Sequence, residues 1–504
     1  MSSPKEKPSA ATEGSNNNIT CPQGSDAAAA SQPLAEKFWN DDETAEGYEP
    51  PEQLSSKEFD LLLPPGLVGE VAQYIYSSAD YPMREGAIVA ALGLIAGIVG
   101  RHFNFNGSGL NLYLLLLAES GRGKESMAKG IDRLVSAARE KVPMVDEFVG
   151  PGAFASGQGL IRTLDKQPSF FSIQGEFGEM LRRMNSPRAP DALVRLKQAM
   201  LDLYGKSGWG STLGSTAYSD MEKNTTVVAA PAFTLVAESV PGKVLDHLSF
   251  DDIEDGFLPR FLPFESRGPR GRANKSAGHS PSPGLVDELA TLAEDSLNLR
   301  RNNRCVDVLA TEDAALTLQH YRDKIDDLFD DKGKEPHERV LFNRAPLNVM
   351  RVAALVAIGC TNARTDTPLV DKGHVEWAIQ LVEYCVDVLA SRFRAGEVGT
   401  GGTRQEAELK KYIIEYLRMS VSGRLKYKVP KKLVTDRVHV GLDYLRRRAR
   451  RCKAFTQDVR GFDRALSDAV VVLVRTGALR KADSRKFGMS GEVYHLHDLD
   501  ALKP

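Results

Sequence analysis

The chain has 504 residues, 42% of them hydrophobic and 26% charged, with a formal net charge of −2. Such a length predicts two to four domains, the composition is that of an ordinary soluble globular protein, and near-neutrality by itself singles out no partner. Five cysteines at positions 21, 305, 360, 385 and 452 show no CxxC spacing, which excludes a zinc ribbon and suits a reducing compartment.

Residues 1–55 are rich in Ser, Asn, Ala, Pro and Glu and predict a disordered tail. Its first residues contain no apolar core of a secretory signal. The most apolar run, Gly86–Val99, is flanked by Arg84 and Arg101 and is too short for a bilayer, so it predicts a buried helix. The expectation is a cytoplasmic protein without membrane association.

A first compact unit, residues 56–267, opens with helical patterns at Leu67–Tyr76 and Arg84–Arg101. Strand-like runs then recur at Leu112–Leu117, Ser169–Gln174 and Ala232–Ala237, with helical patterns at Glu125–Glu140, Gly157–Asp165 and Ala192–Tyr204 between them. Alternation of this kind predicts an α/β fold with a parallel sheet. Residues 268–284, rich in Gly, Arg, Ser and Pro, read as an exposed linker. Residues 285–395 are helical by pattern and predict a helical lid, and the glycines of 396–403 predict a hinge. Residues 404–504 form the last unit. From position 401 onward there are 24 Lys/Arg against 12 Asp/Glu. Helical patterns at Gln405–Ser420, Lys431–His439, Gly441–Lys453 and Phe462–Thr476 precede strands at Leu479–Ala482 and Glu492–Leu496, which suggests a basic winged helix.

The most informative local feature follows the first apolar strand: Glu119, Ser120, Gly121, Arg122, Gly123, Lys124, Glu125 and Ser126. Strand, glycine turn with lysine, and helix in that order hold a nucleotide triphosphate: backbone amides wrap the phosphates, the lysine offsets their charge, and the helix N-terminus adds its dipole. The full P-loop pattern requires glycine at Ala118 and a hydroxyl residue at Glu125, so a plain glycine-rich surface turn is the alternative. An acid at the end of a neighbouring strand completes such sites, and Glu176 fits that position. The metal-binding aspartate that normally precedes it is Gly175. Glu125 offers the missing anionic oxygen to Mg²⁺, with Glu176 orienting water and serving the metal. The alternative is a site that binds ATP without hydrolysing it. At the end of the third strand, Glu238-Ser239 places a polar group able to sense the γ-phosphate, or a cap for the next helix. Arg260, fixed between aromatics in Asp255–Phe261, suits delivery of charge to a phosphate, or a surface ion pair.

Together, Asn111–Glu125, Gly175–Leu181, Ala237–Pro241 and Asp255–Leu262 resemble a phage and plasmid family of RecA-like P-loop ATPases, found with or fused to primase–polymerase domains and associated with replicative helicase activity. The resemblance continues through Asn343–Ala353 and Val370–Ile379, covering residues 60–395. It implies phosphate binding by Gly121, Gly123 and Lys124, catalysis by Glu176, and a trans-acting or sensor role for Arg260. It further implies ATP and Mg²⁺ as cofactors, a homo-oligomeric ring, and a primase or polymerase as partner. Glu125 directly after the lysine occurs in some phage members, whereas Gly175 departs from the pattern.

Two segments suit nucleic acid. The loop Gly205–Lys223 combines glycines with Lys206, Lys223, Trp209 and Tyr218, a stacking platform for single-stranded DNA or a folded β-hairpin. In the last unit Arg446, Arg447, Arg448, Arg450, Arg451 and Lys453 lie within eight residues, and Arg480, Lys481, Arg485 and Lys486 follow on the wing. Such clusters bind phosphates with little sequence reading, although a solvated basic face has the same appearance. The sequence therefore predicts an ATP-dependent DNA motor. The alternative is a non-hydrolysing, ATP-binding replication scaffold or initiator.

Overall fold

The structure is a computed structural model and describes residues 63–497, apart from 187, 218–223, 246–247, 249–251, 254, 269, 331–335, 362–365, 395–401, 457, 459–460, 476 and 488–490. The expected disordered tail (1–55), most of the hinge, and Tyr218 and Lys223 lie outside the described residues.

The fold is mixed α/β around a four-stranded, wholly parallel sheet: β1 (Tyr113–Leu117), β2 (Ser169–Gln174), β3 (Ala232–Ser239) and β4 (Phe261–Glu265), in the order β2-β3-β1-β4. β1 and β4 are buried throughout, as is almost all of β2 and β3, as a parallel sheet covered on both faces requires. Two helices precede the sheet, α1 (Gly66–Ser78) and α2 (Arg84–Val99), and helices α3 (Ser126–Arg139), α4 (Gly157–Lys166), α5 (Phe177–Met184) and α6 (Asp191–Tyr204) connect its first three strands. α2 is buried from Gly86 to Val99, with no polar side. It approaches β2 so closely that a Cβ at Gly97 would lie 2.6–2.8 Å from Phe171.

β4 is an addition to the three strands legible in the sequence. Its five residues include Pro263, which a sheet accepts at an edge, and β4 is an edge strand. The helical segment is not a separate lid core. Its main helices, α7 (Pro283–Arg301), α8 (Glu312–Asp330), α9 (Ala345–Gly359) and α10 (Lys372–Arg394), share one hydrophobic cluster with the sheet, from Leu67 to Phe393. By length and composition Arg339–Gly359 could cross a membrane, yet it is mostly buried within this core. Residues 268–284 are also more than an exposed linker. Asn274 donates through its backbone N–H to Asp80 O (2.9 Å) and through Nδ2 to Ser77 O (2.7 Å), Gly278 N–H donates to Ser78 O (2.9 Å), and Tyr74 Oη donates to His279 O (3.0 Å). The segment is strapped to the end of α1 because it satisfies carbonyls that the helix leaves open.

A second hydrophobic cluster spans Leu409–Leu496. Here α11 (Gly402–Arg418) precedes β5 (His439–Gly441), α12 (Leu442–Ala449), α13 (Phe462–Arg475), β6 (Leu479–Ala482) and β7 (Val493–Leu496). The three strands form an antiparallel sheet in the order β5-β7-β6. The helix expected over Lys431–His439 ends at Val434. Asp436 Oδ1 accepts from the backbone N–H groups of Val438 and His439 (2.8 and 2.9 Å), and that turn starts β5 instead.

Candidate functional site

β1 runs into the glycine turn, and α3 leaves it. Gly121 and Gly123 have φ of 80° and 93°, a region that L side chains rarely enter. At Gly123 a Cβ would also lie 2.8 Å from both Cβ and O of Tyr81, so the turn is seated directly on that residue. Arg122 anchors it from the other side, donating to the carbonyls of Arg267 (2.8 Å) and Gly268. Arg270 lies flat over the Tyr81 ring at 3.5 Å. Glu119, Ser120 and Glu125 are exposed, while Ser126 is buried at the start of α3. Lys124 Nζ donates to Ala118 O at 2.9 Å. An ammonium has three donors, and this is its one hydrogen bond among the described residues.

The sheet places two carboxylates beside this turn. Leu116 of β1 is opposite Glu238 of β3, and Gln174 of β2 is opposite Ala237. One step further along, Gly175 falls beside Glu238, whose Oε1 a Cβ there would meet at 3.5 Å, and Glu176 follows it as the residue that starts α5. Glu176 has φ of 53°, an unusual left-handed conformation for a side-chain-bearing residue. Its carboxylate is 63% exposed and paired with Lys243 Nζ at 2.6 Å, and that hydrogen bond holds its pKa below the ordinary value. Glu238 is half-buried, and its Oε2 is buried without a hydrogen-bond partner. Burial raises its pKa; Lys124 opposes the rise, while Glu125 and Glu176 reinforce it. Ser239 Oγ accepts from Gly178 N–H at 3.2 Å. It therefore serves α5, which precedes it in the chain, rather than the helix that follows.

Among the described residues, no three His, Cys, Asp or Glu side chains form a ready-made metal site. Mg²⁺ usually keeps several waters and uses one or two carboxylates plus substrate phosphates. The orphaned oxygen of Glu238 and the exposed carboxylate of Glu125 fit that requirement.

Arg260 lies elsewhere. Phe261 is opposite Tyr113, and Leu117 is opposite Glu265, so Arg260 precedes the amino end of β4 while the glycine turn follows the carboxyl end of β1. The intervening length of β1 is about 13 Å, which rules out a sensor role toward the turn of its own subunit. Its guanidinium donates to Gly256 O and lies 5.9 Å from the Tyr204 ring centroid, with Nε buried and unpartnered. Burial and nearby Arg344 lower its pKa.

The Trp209 loop is also at the amino end. A short hairpin, Thr212–Leu213 with Val228–Ala229, follows Trp209 in the chain. The backbone N–H of Trp209 donates to Asn104 Oδ1 (2.6 Å), Arg101 lies 5.3 Å from the indole centroid, and the residue is 38% exposed. Lys206 is exposed.

In the C-terminal unit the basic run divides. Arg448 donates to Tyr427 Oη (2.9 Å) and Glu415, and lies over the Tyr412 ring. Arg447 donates to Tyr427 O, Arg446 is 3.5 Å from Asp463, and Arg450 lies over Phe462. Arg451 and Lys486 are exposed, as is Arg485, whose nearest acid is Asp483 at 3.7 Å.

No protein-family model matches this chain, and no curated protein matches its sequence.

Proposed function

We propose that the chain is a P-loop ATPase of RecA-like type that uses ATP hydrolysis to move on or unwind DNA during phage- or plasmid-type replication. The observation that carries this reading is the arrangement at the carboxyl ends of three adjacent strands. The glycine turn with Lys124 follows β1, Glu238 ends β3 next to it, and Glu176 follows β2 beyond. Ligands of open parallel sheets bind at that edge. Two strand spacings, about 10 Å, separate the turn from Glu176, which leaves room for a terminal phosphate and a water between them. In this reading the amides of residues 121–124 hold the phosphates, Lys124 offsets their charge, and Glu176 orients the attacking water once it is released from Lys243. Mg²⁺, held by Glu125 or Glu238 together with the phosphates, supplies charge neutralisation. Arg260 acts only on the nucleotide of a neighbouring subunit, which is the reason for expecting a ring.

The C-terminal order of helices up to Val434, then β5, the helix pair α12 and α13 with the single turn Lys453–Thr456 between them, and two antiparallel strands supports a winged-helix-type DNA-binding unit. The second helix of its pair, α13, turns Asp463, Arg464, Ser467 and Val471 outward, a poor surface for reading bases. The exposed cations Arg451, Arg485 and Lys486 suit phosphate contacts instead.

Steady-state ATP turnover with and without single-stranded DNA, on the native protein and on Lys124→Ala, tests the proposal. DNA-stimulated turnover that falls about 100-fold or more in the variant is expected, since a charge clamp on phosphate is removed. Turnover indifferent to Lys124 overturns it. The Glu176–Lys243 pair and Gly175 favour a second reading, an ATP-binding scaffold, which is the outcome if DNA and ATP bind without turnover. Elution volume with ATP and Mg²⁺ present tests the ring: a smaller volume is expected, and a monomer at all loadings removes Arg260 from the mechanism.

A further inference from the structure

The site lacks an acid where the resemblance expects one, at Gly175. That glycine has an ordinary backbone conformation, since its φ is not in the left-handed region. A Cβ built on it would meet a single atom within 4 Å, Glu238 Oε1 at 3.5 Å. Nothing in the backbone therefore demands glycine. The space that a side chain on residue 175 would enter borders a carboxylate already present, contributed by the adjacent strand.

The register explains this. Gly175 lies beside Glu238, one step past the paired Gln174 and Ala237, and neighbours across a sheet project their side chains to the same face. Glu238 is one strand nearer to β1, opposite Leu116. The following residue, Ser239, accepts from Ala118 N–H at 3.0 Å through its carbonyl, which ties this strand end to the start of the glycine turn. The Glu238 carboxylate has a buried oxygen without a hydrogen-bond partner. Such an oxygen is costly to keep in a folded chain unless a ligand completes it.

We infer that Glu238 carries, from β3, the metal-anchoring carboxylate that position 175 lacks, so the acid of this site has moved one strand toward the lysine turn. The inference rests on the nucleotide reading above and specifies how that site holds its cation. Glu176 is thereby left for the water, and Glu125 becomes dispensable for the metal.

The test is equilibrium binding of a fluorescent N-methylanthraniloyl ATP, in EDTA and in Mg²⁺, to the full chain and to Glu238→Gln, Gly175→Asp/Glu238→Gln and Lys124→Ala. Circular dichroism establishes that each variant is folded. The native protein is expected to bind more tightly in Mg²⁺ than in EDTA. Glu238→Gln should bind within about twofold of native in EDTA but lose about tenfold of the Mg²⁺-dependent tightening, as disturbed metal sites do. Restoring a carboxylate from the next strand, in Gly175→Asp/Glu238→Gln, should recover much of the loss. Glu238→Gln with undiminished Mg²⁺ dependence, alongside a Lys124→Ala variant that no longer binds, overturns this inference and leaves the nucleotide reading standing. If Glu238→Gln is misfolded, Glu238→Asp, which keeps the carboxylate on a shorter arm, decides: weakened Mg²⁺ dependence supports the inference, and undiminished dependence overturns it. Native protein that binds no nucleotide, or binds no better than Lys124→Ala, removes both.

Discussion

The carboxyl edge of the central sheet and the basic C-terminal unit use charge in opposite ways. At the edge, Lys124 has one backbone partner and Glu238 has a buried oxygen with none. In the C-terminal unit, by contrast, Arg424 is 2% exposed and donates to the carbonyls of Tyr416 (3.1 Å), Val434 (3.2 Å), Leu417 and Asp436. Arg448 is similarly committed to Glu415 and Tyr427. Part of a dense run of arginine is thus architecture, whereas two sparse charges beside a glycine turn are left uncompleted. What separates a binding group from a structural one here is how many of its hydrogen bonds the fold has already made. Residue type and local charge density do not make that distinction.

Arg351 provides the sharpest test of the comparison. It is 1% exposed, on α9, and donates to Asn111 O (2.9 Å), Tyr204 O (2.8 Å), and the hydroxyls of Ser108 (3.1 Å) and Ser207 (3.5 Å). Its guanidinium carbon lies 4.6 Å from the Tyr204 ring centroid. This one side chain links the helical segment to the amino ends of the strands. Arg351→Ala strands two buried carbonyls and opens a cavity, and it should cost about 3–5 kcal/mol of unfolding free energy. Urea unfolding measures it. A loss below about 1 kcal/mol, near the value of a surface pair, would show that buried hydrogen-bond completeness does not mark structural charges in this chain.

His102 should give a smaller, pH-dependent effect. It is fully buried, with Nδ1 3.2 Å from Arg304 O and Nε2 unpartnered, and burial lowers its pKa to about 4. The folded protein keeps the ring neutral while the unfolded chain binds a proton near pH 6.5. Stability from this group is therefore complete above pH 6.5 and is lost as pH falls from there toward 4. Between pH 7 and pH 5 the loss is about 2 kcal/mol. Urea midpoints at the two pH values, converted to free energies, should show that slope in the native protein. The slope should be flattened in His102→Asn, whose amide N–H can still reach Arg304 O. Equal slopes in both proteins would contradict a neutral buried ring.

Much of the parallel core is legible in the sequence because each of its first three strands is a short segment rich in large apolar residues that leads into glycine or charge. The run Ser169–Gln174 has the bounds of the observed strand, and those of β1 and β3 agree within two residues. β4 escapes because five residues containing a proline show no period. β5 escapes because three residues cannot display alternation. The linker's role escapes because its hydrogen bonds run mostly to main-chain carbonyls, which every residue carries and which leave no pattern in side-chain type. At the site, the turn and Glu176 are visible from spacing. The importance of Glu238 depends on which strand lies between β1 and β2, and no local pattern contains that order. The same dependence on strand ends places Arg260 at the far edge.

The smallest effect concerns DNA, and it separates two kinds of arginine within one unit. Arg485 has a 93% exposed side chain and Lys486 is likewise exposed, so both are available to phosphates. Replacing both by Ala should reduce the magnitude of the slope of log K against log salt by about 1 for each phosphate no longer neutralised, and weaken binding only a few-fold at physiological salt. Arg448→Ala removes a side chain stacked on Tyr412 and paired with Glu415. It should leave that slope unchanged while lowering stability by about 1 kcal/mol. Fluorescence anisotropy of a labelled single-stranded oligonucleotide across a salt series, with urea unfolding of the same variants, reads both quantities. A slope that responds to Arg448 and ignores Arg485 and Lys486 would reverse the assignment, making the packed arginine the DNA-binding group and the exposed pair idle.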